Sequence, residues 1–200
     1  MNSSPGLQAL ELLAELMQIR RIAPAWLVVC GGSALQISGI ISRSTRDVDV
    51  LARRELEGEV SPSYPLPDAR KEAASDVARQ LGLSADWLNA STSLFFPDLA
   101  TLPSSFWTVL HDHEFGDSLE VSFVGRTGQI LLKLYAVCGR EEMRDWADLQ
   151  ALAPTESEAI SAAQWILKHV DGLASLERLQ ATFRNLGFQA LWVESDAQSS

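Results

Sequence analysis

Residues 26–35 read WLVVCGGSAL, and residues 44–50 read STRDVDV. The first stretch is an apolar run that stops at two glycines, and the second sets two carboxylates one residue apart inside another apolar run. Trp26 to Cys30 is short and uninterrupted, which suits a buried strand. The glycines then turn the chain, Ser33 to Ile40 reads as a short helix, and Asp47 to Ala52 returns to strand character. On a strand alternate side chains face the same way, so Asp47 and Asp49 project together while Val48 and Val50 enter the core. Like charges that close repel, and burying either one unpaired costs several kcal/mol, so a cation is their natural partner.

Working outward, residues 6–21 carry Leu10, Leu13, Ala14 and Met17 at helical spacing, and Pro24 closes the segment. Residues 61–67 (SPSYPLP) are loop-like; Asp68 can cap a helix to about Leu81, and Gly82 ends it. Residues 83–105 fit neither period. Strand character resumes at Phe106, and Leu119 to Phe123 alternates apolar with polar. Gln129 to Met143 reads as the clearest helix. Thr155 and Glu158 have capping-box spacing, opening a helix to about Val170, and Ser175 to about Leu186 forms another. This order predicts an α+β fold: a mixed, twisted sheet flanked by helices, with a mostly helical C-terminal part. The expected division is a core at 1–128, a helical region at 129–194 packed on it, and a frayed tail at 195–200.

At 200 residues, 46% hydrophobic and 21% charged, the chain suits one domain with a helical appendage. No apolar run reaches the roughly 18 to 20 residues of a membrane helix, and the N-terminus lacks a basic start followed by an apolar core, so no membrane association and a cytoplasmic location are expected. Cys30 and Cys138 lie in apolar runs without ligand-spaced partners, which reads as two buried free thiols. A net charge of −10 argues against a general polyanion-binding surface. It leaves room for a local basic pocket, because Arg43, Arg46, Arg53 and Arg54 crowd the aspartates. His111 and His113 flank Asp112, but no third ligand is placed in sequence, so they read as surface or loop histidines. The six tryptophans read as packing residues, with Trp87 and Trp107 the two that could border a base.

Two carboxylates at a strand end make a seat for Mg²⁺, which takes oxygen ligands and keeps substrate phosphates among them. Gly31 and Gly32 let backbone approach a ligand, and Ser33 opens a helix whose N–H groups favour an anion. The combination points to a metal–nucleotide complex. On one continuous helix Lys133, Arg140 and Arg144 would share an arc of roughly 40°, a cationic edge for a triphosphate or else an ordinary solvated face. Asp145 falls toward the apolar side and needs a partner, Arg46 or another arginine.

GGSAL followed by STRDVDV resembles the signature of the DNA polymerase beta-type nucleotidyltransferase superfamily. More closely, the chain resembles small bacterial nucleotidyltransferases of the AbiEii and minimal-nucleotidyltransferase kind. The likeness extends to Leu81-Gly82-Leu83, Asp86-Trp87-Leu88-Asn89, Leu132-Lys133-Leu134-Tyr135-Ala136, Arg140 and residues 144–149 (RDWADL). It implies the nucleotidyltransferase fold and transfer of a nucleoside monophosphate from a nucleoside triphosphate to an acceptor hydroxyl. It also implies two Mg²⁺ ions, with Mn²⁺ as substitute, on Asp47, Asp49 and a third carboxylate. Glu120 is the choice for the third, with Asp117 and Glu114 nearby. Gly31, Gly32, Ser33, Arg43, Arg46 and Lys133 would bind the nucleotide, with Arg140, Arg144, Asp145 and Asp148 in support. The acceptor would be a tRNA end, a protein or a small molecule, and a cognate toxin or antitoxin the protein partner. A non-catalytic, antitoxin-like partner with the same fold, and a drug-modifying enzyme, are the alternatives.

Overall fold

The WLVVC run is the middle of the sheet. In a computed structural model describing residues 5–55, 59–108, 110–140, 142–169 and 173–188, Ala25–Cys30 forms β1. Ahead of it lies α1 (Pro5–Ile19), and after it come α2 (Gly31–Ile37), β2 (Val48–Glu55), β3 (Ser61–Pro62), α3 (Asp68–Leu81) and β4 (Leu88–Asn89). Two 3₁₀ turns, Ser91–Phe95 and Leu99–Thr101, lead to α4 (Ser104–Thr108), β5 (Leu110–Phe115) and β6 (Leu119–Val124). Helices α5 (Arg126–Gly139), α6 (Met143–Leu152), α7 (Glu156–His169) and α8 (Leu173–Asn185) complete the described chain. The path β3-β2-β1-β6-β5, with β4 also on β2, makes a six-stranded mixed sheet. The fold is α+β. The chain divides into two compact units, Met1–Gln129 and Ile130–Ser200.

In the first unit, β1 runs antiparallel to β2 and parallel to β6. Strand alternation sends Leu27, Val29, Val48, Val50, Val121 and Phe123 to one face, where they share a core with Leu10, Leu13 and Met17 of α1 and Ala73 and Val77 of α3. The apolar spacing of α1 is thus the spacing of its buried stripe. Val28 pairs with Ala52 and Val29 with Val50, so Leu51 is one residue too many on β2. Such a bulge resets the alternation, and Arg54, across from Trp26, returns to the face of Asp49, across from Cys30.

Several expected boundaries move for local reasons. The two glycines are the first residues of α2 rather than a turn before it, and Asp47 stands one residue ahead of β2. Pro67 is the N-cap of α3 and Asp68 its first helical residue, while Gly82 closes it in the left-handed region at φ 63°. Phe106 is buried on α4, not on a strand, with its N–H on the Pro103 carbonyl at 2.8 Å.

In the second unit the expected helix from Gln129 to Met143 is two helices, α5 and α6. Arg178 NH1 on α8 takes the Cys138 and Gly139 carbonyls at 2.8 and 3.3 Å, which satisfies groups that a continuing helix would have used. The Thr155–Glu158 capping box forms in both directions: Thr155 N donates to Glu158 Oε2 at 2.8 Å and Glu158 N to Thr155 Oγ1 at 3.3 Å. Val170 and the tail at 195–200 lie outside the described residues.

Candidate functional site

At the join of β1 and α2, Gly31 has φ +71°, and a Cβ there would lie 2.5 Å from Asp49 Oδ2. Only glycine meets both demands. The Asp49 carboxylate therefore rests against backbone at the first turn of α2, where a helix favours negative charge. Its other oxygen, Oδ1, accepts from Asn89 Nδ2 at 3.0 Å, because β4 runs parallel to β2 with Asn89 beside Asp49. Asp49 is half-buried and Asp47 exposed.

Ser33 Oγ donates to the Asp47 carbonyl, so a buried hydroxyl on α2 holds the backbone that carries the first aspartate. Thr45 Oγ1 donates to Gln36 Oε1 at 3.0 Å and lies 3.4 Å from Ser33 Oγ. A Cβ at Gly32 would meet the Thr45 methyl at 2.8 Å and the Arg43 guanidinium at 3.4 Å. Gly32 thus makes room for Thr45 and Arg43, and the side chain of Ser33 braces Asp47. Arg43 is half-buried beside this turn, and Arg46 is exposed next to Asp47. Gly31, Gly32, Ser33, Arg43, Arg46, Asp47 and Asp49 form one locus. Asn89 and Thr45 belong to it as well. Their roles depend on pairing across forty and twelve residues, which no local pattern signals.

Other expected members lie elsewhere. Glu120 pairs with Trp26 at the start of β1, whereas Asp49 pairs with Cys30 at its end. Four residues at about 3.3 Å each separate these positions by roughly 13 Å along the strand. Glu114 faces Glu120 across β5, and Asp117 sits in the turn between β5 and β6, so neither replaces it. Arg54 lies over the Trp26 ring, 5.1 Å from its centroid, at that same far end. Arg53 NH1 donates to the Pro65 carbonyl at 2.7 Å. The arginine cluster of the sequence therefore divides, with Arg43 and Arg46 at the aspartates and Arg53 and Arg54 away from them.

In the second unit, Lys133 is 8% exposed, and its Nζ lies 2.8 Å from Asp145 Oδ1 and 2.9 Å from Asp148 Oδ2. Arg140 Nε and NH2 both reach Asp145 Oδ2 at 2.8 Å. Two cations and two carboxylates balance, which lets Lys133, Asp145 and Asp148 be buried while Arg140 stays more than half exposed. Burial opposes the charge of Lys133, but the hydrogen bonds and attraction of Asp145 and Asp148 outweigh it and raise its pKa. Burial likewise opposes ionised Asp145, and Lys133 and Arg140 outweigh it and lower that pKa. The expected single-helix stripe of Lys133, Arg140 and Arg144 does not form, because the chain breaks after Gly139. Arg144 is exposed on α6, and the partners of Asp145 are Lys133 and Arg140.

The remaining candidates are packing or surface groups. Trp87 is fully buried with Nε1 on the Ala74 carbonyl at 2.8 Å, which rules it out as a base platform; Trp107 is half-buried. His111 and His113 are exposed on β5, and both cysteines are buried free thiols. Burial pushes the Cys138 thiol up to about 11. Among the described residues no three His, Cys, Asp or Glu side chains converge as a metal cage, and no helix is long and apolar enough to cross a membrane. Two neighbouring carboxylates, one exposed, still fit one Mg²⁺ that takes its other oxygens from phosphates and water. No protein-family model, curated protein or solved structure matches the chain.

Proposed function

We propose that the chain is a Mg²⁺-dependent nucleotidyltransferase, of the kind its AbiEii-like and minimal-nucleotidyltransferase-like motifs suggest. The observation that carries this reading is the Asp47–Asp49 pair beside the glycine-led start of α2, with Asn89 and Gly31 fixing the second carboxylate. In this reading Asp49 is the rigid ligand, Asp47 the solvent-facing one, and Arg43 and Arg46 supply positive charge for the triphosphate. Mg²⁺, when bound with the nucleotide, supplies charge neutralisation at the phosphoryl oxygens. The acceptor oxygen bonds to the α-phosphorus, the bond to the β-phosphate oxygen breaks, and pyrophosphate leaves with its electron pair. Asp47 is the carboxylate assigned to take the hydroxyl proton. Glu120 has no part in this scheme, and the Lys133 cluster braces its own unit. A cytoplasmic location, an acceptor that is a tRNA end, a protein or a small molecule, and a toxin–antitoxin partner are parts of the proposal that rest on the resemblance.

A second reading, a non-catalytic partner with the same fold, is favoured by the distance of Glu120 from the pair and by the closure of Lys133 between two aspartates. Incubation with each α-labelled triphosphate, Mg²⁺ and cell extract separates the two. The enzyme transfers label from at least one triphosphate, and Asp47→Asn does not. Nucleotide binding without transfer under any of these conditions supports the second reading.

A further inference from the structure

The second unit holds a cleft of about 480 Å³ where the end of α5, the start of α6 and the end of α8 meet. In a chain of net charge −10 it is lined by two guanidiniums, Arg140 and Arg178, against one carboxylate, Glu142. Both guanidiniums are fixed along one edge. Arg140 is held by Asp145 through Nε and NH2, yet its side chain remains 54% exposed. Arg178 is held through NH1 on the α5 carbonyls, and its Nε and NH2 have no partner among the described residues. A guanidinium carries five N–H donors, so each keeps donors beyond those bonds. Asp145 and Glu142, whose Oε1 lies 3.5 Å from Arg140 NH1, offset the charge of Arg140, so Arg178 carries the charge offered to a ligand and Arg140 adds donors. Beside the arginines, Met143 and Trp146 stand three residues apart on one side of α6. Met143 is 90% exposed and the Trp146 indole half-buried, giving a flat, polarisable wall next to the cations. Asn185 adds a polar group on α8, whereas the buried Thr182 hydroxyl is engaged with the Cys138 thiol.

We propose that this cleft binds a small planar anion, an aromatic or heteroaromatic ring bearing a carboxylate or phosphate, with the ring against Trp146 and Met143 and the anion on Arg140 and Arg178. The volume lies within the range of small-molecule sites. Capping of α5 and pairing with Asp145 account for one edge of each guanidinium. They do not account for an exposed methionine and an indole lining the same cleft. All the lining residues belong to the second unit, and the inference does not depend on nucleotidyl transfer.

Calorimetric titration of the full chain in EDTA, which silences any metal-dependent nucleotide site, tests this with adenosine monophosphate, indole-3-acetate and inorganic phosphate. At least one ring-bearing anion should bind with Kd below about 1 mM, and inorganic phosphate at least about tenfold more weakly. Which ring anion binds distinguishes a nucleotide from an aryl carboxylate. Met143→Glu, at a solvent-exposed rim position that leaves melting unchanged, should weaken binding about tenfold or more, as should Arg178→Gln. Asp47→Asn should not. Absence of ring-anion binding below about 1 mM, equal binding of inorganic phosphate, or binding indifferent to Met143→Glu and Arg178→Gln would overturn the proposal.

Discussion

At Gly31 a methyl group has nowhere to go. With φ +71° and Asp49 Oδ2 2.5 Å from the Cβ position, Gly31→Ala combines backbone strain with displacement of a carboxylate. Urea unfolding should show a loss of about 1–3 kcal/mol. The two aspartates should behave differently from each other. Asp49→Ala removes the acceptor of the Asn89 amide and should cost about 0.5–1.5 kcal/mol. Asp47→Asn changes an exposed side chain and should stay within about 0.5 kcal/mol of the parent. Both should abolish nucleotidyl transfer, so stability and activity separate at Asp47. The strand that carries Asp49 was legible because strand period is local, whereas Asp47, expected on it, stands one residue ahead of β2. Asn89 was not, since its neighbourhood depends on β4 joining β2 far along the chain. Glu120 lies at the other end of β1 from Asp49, because LEVSF reveals a strand without revealing which end of β1 its first residues meet.

At the level of elements, the break between α5 and α6 matters most. Apolar and basic residues continue at helical spacing across it, so the sequence reads as one helix; α5 ends at Gly139, a weak helix former, and Arg178, forty residues away, caps the Cys138 carbonyl. The break lets α6 return Asp145 and Asp148 to Lys133. Lys133→Met would leave those two carboxylates buried without their central cation, and a loss of about 3–5 kcal/mol should appear in chemical unfolding. Helices with local signals were legible to within a residue or two: the α1 stripe, the α3 stop at Gly82 and the α7 capping box. The bulge at Leu51, which returns Arg54 to the face of Asp49, left no mark in the sequence pattern.

For the whole molecule, pH tests the buried charges together. The Asp145 pKa is depressed below 3.8, so its contribution is present above that value and lost as pH falls through the lower folded-state value. The Cys138 pKa is raised from 9.0 to about 11, so the fold favours the neutral thiol and loses that contribution as pH climbs between the two. The Lys133 pKa is raised above 10.5, and its contribution persists to that pH and fades above it. Melting temperature should therefore be level between about pH 5 and 8.5 and decline on both sides. Cys138→Ala should remove the first part of the alkaline decline; a decline unchanged in that variant would assign it to other groups. The α+β class and the strand–helix–strand order around the aspartates were readable from periodicity, while strand order and the membership of the site depended on long-range pairing. The central claim is that Asp47 and Asp49 together seat a Mg²⁺–nucleotide complex. Its most direct test is calorimetric titration of non-hydrolysable nucleoside triphosphates, with and without Mg²⁺, into the wild type and Asp47→Asn. The account predicts that at least one triphosphate binds the wild type in a Mg²⁺-dependent manner, and that this binding falls at least about a hundredfold, roughly 2.7 kcal/mol, in an Asp47→Asn protein of unchanged melting temperature. Binding indifferent to Mg²⁺, or equal in the two proteins, would contradict it.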